Sequence, residues 1–276
     1  MTDRQPLSQS PTGSAPGPRP MGRVNWIGLR TLTLREVRRF MKVYTQTLVA
    51  PLVTTLLFLA VFALALGGEH RTVAGLPFMT FLAPGLIMMA VAQNAFANTS
   101  SSIVIAKVQG NIVDSLMPPL NAHELVFGFA MGGLIRGLAV AAVVWAAMAV
   151  VVGIGVHSLG YVLYHAFMGS LMLSLLGLAG GIWAVKFDHI AAVTNFVITP
   201  LSFLSGTFYS VQHLPQAAQV AAHLNPFFYM IDGMRYGFIG YADGNLVAGI
   251  AVMAAINAAL WTLCTWMFAT GYKLKA

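Results

Sequence analysis

Long apolar runs without any charged side chain alternate with short charged segments along this chain of 276 residues. Five uncharged stretches cover residues 43–68, 72–106, 137–185, 189–231 and 244–272 and contain 26, 35, 49, 43 and 29 residues. Roughly 20 apolar residues are enough for a helix to cross a bilayer. The pattern therefore predicts an all-α integral membrane protein.

Polar and glycine-rich breaks divide these stretches into six transmembrane helices. The stretch at 137–185 is too long for one helix, and it divides at 153–160, where glycine occupies three positions. The expected spans are about 45–66, 78–98, 125–152, 161–184, 191–209 and 246–270. An even number of spans places both ends of the chain on the same side of the membrane.

Composition and charge support this prediction and orient it. Hydrophobic residues make up 58% of the chain and charged residues 8%, against roughly 25% charged in soluble proteins, so a soluble domain is excluded. Twelve basic residues fall on the side of the chain ends: Arg4, Arg19, Arg23, Arg30, Arg35, Arg38, Arg39, Lys42, Lys107, Lys186, Lys273 and Lys275. Only Arg71 and Arg235 fall on the other side. The positive-inside rule then places both termini in the cytoplasm, and the net charge of +7 needs no nucleic acid to explain it.

The first 44 residues precede the first span and divide into two parts. Residues 1–22 are rich in proline, serine and glycine and lack the apolar core of a signal peptide, which predicts a disordered cytoplasmic tail. Residues 23–42 mix apolar and basic side chains with helical spacing. They predict a helix on the lipid of the inner leaflet; a simple juxtamembrane anchor is the alternative.

Motifs for catalysis or metal binding are not found in the sequence. Phosphate-binding loops, zinc-protease motifs and nucleophile elbows are absent, and the seven histidines are scattered. Cys264 lies in an apolar run, where a packing role is expected. We therefore expect neither an enzyme nor a metal or cofactor bound to this chain.

Arg136 lies inside the third predicted span, where an unpaired charge is costly. Gly132 and Gly133 belong to two overlapping patterns of small residues four apart, which allow another helix to approach closely. These three residues are candidates for a substrate pathway or a subunit interface. A snorkelling or structurally paired arginine is the alternative.

The loop after the second span contains a short amphipathic segment from Asn111 to Met117. Its apolar residues are expected on one face of a short helix that Pro118 and Pro119 end: Ile112, Val113, Leu116 and Met117. Such a helix, with Asp114 in its first turn, suits docking of a soluble partner. The alternative is a helix end folded back onto the membrane.

The segment 209–243 between the last two spans is long and mostly apolar. Pro215 favours a helix start, and Asn225-Pro226 separates a first short helix from a second. Each helix is too short to span, so the pair should enter the membrane and return. Asp232 and Arg235 are three residues apart and are expected to pair. The two interpretations of this pair are a substrate gate and an unspecific apolar plug.

Three segments resemble the signature of type 2 ATP-binding-cassette exporter permeases. They are 81–89, with Pro84-Gly85; 201–215, with Gly206 and Leu214-Pro215; and 223–237, with Asn225-Pro226 and Gly233-Met-Arg235. The resemblance covers residues 23–273. Within the family, the chain looks most similar to the bacterial branch of nodulation-factor and drug-export permeases.

The resemblance implies roles for several segments. Residues 23–276 would form the transmembrane domain, with a connecting helix before the first span. Asn111, Ile112, Asp114, Leu116 and Met117 would belong to the coupling helix that contacts the ATPase. Family members often carry a basic residue at Gly110 and an acidic one near Ser115, so the docking contacts here differ. The residues of an external gate would be Gly206, Pro215, Asn225, Pro226 and Arg235.

The resemblance also implies an assembly and a task. Two membrane halves, here a homodimer, would work with two ATPase subunits that carry Mg-ATP, in a bacterial inner membrane. The exported substrate would be amphiphilic, drug-like, lipid-linked or a glycan. A self-sufficient carrier or channel is the alternative, although the two halves show no internal repeat. A membrane-embedded enzyme would need acidic residues facing one another within the spans.

Overall fold

A computed structural model describes residues 24–66, 72–73 and 75–274. The prediction for the tail at 1–22 lies outside these residues, as do four of the basic residues counted above, Arg4, Arg19, Arg23 and Lys275, and Arg71 on the other side. The described chain is almost entirely helical, and the sheet found in it is one antiparallel pair of two-residue strands.

The elements follow one another in a simple order. The helices are α1 (Trp26–Met41), α2 (Ala50–Leu66), α3 (Phe78–Val108), α4 (Ile112–Leu116), α5 (Ala122–Val152), α6 (Leu159–Trp183), α7 (Phe187–Val193), α8 (Thr199–Leu204), α9 (Gln216–Leu224), α10 (Pro226–Ile239) and α11 (Leu246–Thr270). π-Helical turns at Thr45–Val49 and Thr194–Ile198 lead into α2 and α8. A 3-10 turn at Val211–His213 precedes α9, and strands β1 (Thr72–Val73) and β2 (Leu76–Pro77) connect α2 to α3.

Among the residues that the structure describes, six helical segments are long and apolar enough to cross a membrane, which confirms the predicted fold class. The last span agrees with the prediction at both ends, but the second continues to Val108 instead of ending near Asn98. The polar residues Thr99 and Ser100 do not end the helix, because their hydroxyls donate to backbone carbonyl oxygens within α3. The fifth span runs from Phe187 to Leu204 and so begins and ends earlier than predicted.

Helices α3 and α6 form the centre of the bundle and approach through small residues. Thr99 Oγ1 donates to the carbonyl oxygen of Ser174 at 2.7 Å. A Cβ at Gly177 would overlap the carbonyl oxygen of Phe96, so only glycine leaves room for the two backbones.

Contacts along α6 fix the direction of its neighbours. Gly133 and Gly137 of α5 lie against Ser174 and Ser170 of α6 in reversed order, so these helices are antiparallel. Helix α11 runs parallel to α6, as three hydrogen bonds show: Tyr164 Oη to Ile250 O, Asn257 Nδ2 to Met168 O and Cys264 Sγ to Leu175 O. Cys264 is buried, in keeping with a packing role.

The bundle consequently has two distinct ends. One, here the terminal end, carries α1, α4, the α6–α7 connection and Leu274; there Lys107 Nζ donates to the carbonyl oxygens of Ile182 and Ala184. The other, the loop end, carries the β1–β2 hairpin, the α5–α6 connection, α9 and α10. Both described ends of the chain lie at the terminal end.

Helix α10 begins inside the bundle and runs back to the loop end along the first half of α6. The contacts pair Gly237 with Val162, Gly233 with His165 and Met230 with Gly169. Seven residues of helix rise about 10 Å, so α10 reaches into the bundle without crossing it. Its return to the loop end agrees with the prediction for the second helix of the re-entrant pair.

Candidate functional site

Helix α4 is a single short helix at the terminal end, held to the bundle by two contacts. Gly110 precedes it with φ +74°, a conformation that suits glycine, and Asn111 is its N-cap. Ile112 is buried in an apolar cluster, and the Ser115 hydroxyl accepts a hydrogen bond from Arg35 of α1 at 2.9 Å. Helix α4 is therefore tied to α1 as well as to its own loop.

The bundle covers only part of the predicted apolar face of α4. Ile112 is buried and Leu116 is partly buried, whereas Val113 is 51% exposed and Met117 76% exposed. Residues i and i+4 lie above one another on a helix. Ile112 and Leu116 therefore form the side that the bundle covers, and Val113 and Met117 form the side left exposed. Asp114 is also exposed.

Two grooves flank α4. One, of about 690 Å³, lies between α1, the end of α3 and α4, and is rich in charge; its charged residues are Arg35, Glu36, Arg38, Arg39, Lys42 and Asp114. The other, of about 620 Å³, is mainly apolar, with Lys107 and Lys273 in its wall. The exposed face of α4 thus stands as a ridge between two depressions.

At the loop end, three of the predicted gate residues lie in one corner: Gly206, Asn225 and Arg235. Gly206 ends the turn after α8 with φ +75°. Asn225 Nδ2 donates to the carbonyl oxygen of Leu201 at 2.9 Å and to Ser205 Oγ at 2.8 Å. Pro215 is the N-cap of α9, and Pro226 is the first residue of α10, where its missing N–H costs nothing.

Arg235 is fully buried and forms its ion pair with Asp243, whereas Asp232, the predicted partner, acts on its charge from beyond ion-pair distance. Its Nη1 lies 3.6 Å from Asp243 Oδ2, and its guanidinium carbon lies 4.1 Å from the centre of the Phe81 ring. It also donates to the carbonyl oxygen of Gly206. Asp232 instead accepts the backbone N–H groups that follow α10, so it shapes the loop without being the arginine's ion-pair partner.

Asp243 is the centre of this corner, and sequence reasoning missed it. Its carboxylate accepts from Ser210 Oγ at 2.6 Å, from Val211 N at 3.0 Å and from Tyr241 Oη at 2.7 Å. Burial raises the pKa of the Tyr241 phenol, which keeps it a donor at neutral pH. The available signal was an acidic residue just before a long uncharged span.

The glycines near Arg136 serve packing within this chain. A Cβ at Gly132 would overlap the side chain of Glu36 in α1, and one at Gly133 would overlap Ser174 in α6. Arg136 itself donates to Asn94 Oδ1 of α3 at 2.8 Å. Its partner is an amide, and no carboxylate of the described residues forms an ion pair with it.

Helix α1 packs into the bundle with one face, which the sequence did not show. Leu32 lies against Gly128 of α5. Glu36 is 1% exposed and pairs with Arg35 at 3.2 Å and with Arg39 at 3.3 Å. The opposite face leaves apolar residues uncovered: Trp26, Ile27, Leu34 and Met41. Helix α1 therefore joins α5 and α4 and also presents an apolar surface outward.

Comparison with known proteins identifies the arrangement. A model of the ABC-2 type transporter family matches residues 28–239. The chain is 39% identical over 251 residues to the inner membrane transport permease YadH of Escherichia coli K12, covering 91% of this chain and 98% of that protein. It is 26% identical over 231 residues to nodulation protein J of Rhizobium leguminosarum bv. trifolii, covering 80% of this chain and 84% of that protein. With its six apolar helices, this chain belongs to the ABC-2 type transporter family of multi-pass membrane permeases.

Proposed function

We propose that this permease forms the export pathway of an ABC transporter as a homodimer, driven by two copies of a separate ATPase subunit that binds Mg-ATP. The observation that carries the proposal is α4, which exposes Val113 and Met117 while Ile112 and Ser115 hold it to the bundle. An apolar ridge on a rigid support is suited to transmit motion from a soluble partner.

The proposed orientation places the terminal end in the cytoplasm. The described basic residues concentrate there: Arg30, Arg35, Arg38, Arg39, Lys42, Lys107, Lys186 and Lys273. At the loop end the described arginine is Arg235, which is buried and paired. This asymmetry fits the positive-inside rule and leaves α4 where ATP is available. The outward apolar face of α1 would then lie on lipid of the inner leaflet.

The proposed route between cytoplasm and exterior would run along the contact between the two copies. Helix α2 and the α7–α8 span are the least buried of the six spans. They therefore offer surfaces for the second copy. The corner at Gly206, Asn225 and Arg235 would close the outer end as a gate.

The substrate class we infer is amphiphilic, because the spans offer too few polar groups to replace the hydration shell of a small ion.

The test is purification of the chain from its native membrane in mild detergent, with mass spectrometry and an ATPase assay on what accompanies it. A stoichiometric ATPase is expected. The double variant Val113→Asp and Met117→Asp is expected to lower its recovery at least tenfold without changing folding, since both side chains are exposed.

The control is His213→Asp with Ala217→Asp, two exposed residues with the same spacing at the loop end, where the segment begins. This control should retain the ATPase. Purification of a chain without an ATPase that still moves solute after reconstitution would favour the self-sufficient carrier or channel instead.

A further inference from the structure

Two guanidinium groups, one from α5 and one from α1, donate hydrogen bonds to successive turns of α3. Arg136 donates to Asn94 Oδ1 at 2.8 Å. Arg39 donates to Asn98, to the amide oxygen at 3.1 Å and to the backbone oxygen at 2.6 Å. Residues four apart on a helix are neighbours at about 6 Å, so the two cations are close together. These four residues are called the polar strip below.

Positive charge exceeds negative charge along the polar strip. Glu36 is the described carboxylate that pairs there, and it is shared between Arg35 and Arg39. Arg136, near the middle of the 31-residue helix α5, has an amide as its described partner. A guanidinium at that depth is costly without an anion, and the neighbouring Arg39 adds repulsion.

Two hydrogen-bond donors of the polar strip have no acceptor. Arg136 Nε and Asn98 Nδ2 are both buried and have no partner among the described residues. The Asn98 amide cannot be turned to correct this, because its oxygen already accepts from Arg39. Buried donors are normally satisfied, so each of these two atoms lacks an acceptor that the fold would be expected to supply.

A cavity of about 230 Å³ between α2 and α3 touches the polar strip at one of its four residues. Asn94 is in its wall, together with polar residues of both helices: Gln46, Thr54, Thr55 and Gln93. Phe58, Met89 and Ala90 supply apolar surface in the same wall. The space therefore combines polar groups near the cations with a hydrocarbon-compatible side.

We propose that the polar strip binds the acidic headgroup of an amphiphile, with its phosphate or carboxylate oxygens accepting from Arg136 and Asn98. The hydrocarbon chain would lie along α2 and α3 at the cavity. An amphiphile fits better than a free anion, because its chain stays in hydrocarbon while the headgroup is bound among spanning helices. Binding to the polar strip requires no ATPase. The statement that the bound molecule is also the exported one rests on the proposed function.

The experiment measures the melting temperature of the purified full chain in an uncharged maltoside detergent. Dodecyl phosphate, at a small mole fraction in the micelle, is expected to raise it by about 5 °C or more when the site is saturated. Dodecylphosphocholine and inorganic phosphate should each raise it much less. An equal rise with inorganic phosphate would identify a free-anion site, and an equal rise with dodecylphosphocholine an unspecific detergent effect; either overturns the proposal.

Variants locate the effect at the polar strip. Arg136→Gln is expected to remove the rise, whereas Arg30→Gln, on the exposed side of α1, should retain it. Asn94→Asp supplies Arg136 with an internal carboxylate, so it should also remove the rise while keeping the empty protein folded if Arg136→Gln does not fold. Persistence of the full rise in Asn94→Asp contradicts the proposal. Recovery of the ATPase does not depend on this result, so the two proposals fail separately.

Discussion

Replacing Asp243 by alanine is expected to lower the free energy of unfolding by about 3–5 kcal/mol, because it leaves the Arg235 guanidinium buried without its carboxylate. The substitution also removes the acceptor for Ser210, Tyr241 and the backbone N–H of Val211. The measurement is the melting temperature of the purified chain in detergent, together with the amount of protein in the membrane.

Asp188→Ala is the matched control, since this carboxylate is exposed at the start of α7 and should change the melting temperature little. The double variant Asp243→Ala with Arg235→Met tests the cause. Removing both charges should recover part of the loss, because the guanidinium no longer lies buried without its ion-pair partner. A double variant as unstable as the sum of the single ones would show that the pair is not the reason.

Gly177→Ala is expected to destabilise the bundle by about 1–3 kcal/mol, although it adds one methyl group. That methyl would overlap the backbone carbonyl oxygen of Phe96, which cannot rotate away as a side chain could. Helices α3 and α6 would have to separate, and the hydrogen bond from Thr99 to the carbonyl oxygen of Ser174 would lengthen.

Gly160→Ala on the same helix is the control for this substitution. A Cβ there meets no atom within 4 Å, so alanine should be neutral or stabilise by about 0.5–1 kcal/mol through helix propensity. The two melting temperatures should therefore move in opposite directions. Equal shifts would mean that helix propensity, not close packing, decides stability at Gly177.

Some features of the site could be predicted from local sequence alone. The position of α4 follows from Gly110 before it and two prolines after it, and the breaks at Pro215 and Asn225-Pro226 lie where α9 and α10 begin. These signals act through the backbone of a few neighbouring residues, so they need no tertiary contact.

The partners of the buried charges could not be predicted in this way. Asp232 is three residues from Arg235 and satisfies the helix-pair rule, yet Asp243 in the following loop makes the ion pair. Likewise, the apolar residues of α4 divide between a buried and an exposed side because only part of the short helix faces the bundle.

The six spans, the parity of the chain ends and the pair of short helices follow from local sequence, because the free energy of placing a segment in hydrocarbon depends on that segment's own length and polarity. Only the tertiary structure decided that α1 packs on α5, that Asp243 pairs with Arg235, and that Arg39 and Arg136 meet on one strip of α3. Those contacts join residues far apart in the chain, and their energies depend on the distance, burial and orientation that the packed helices impose.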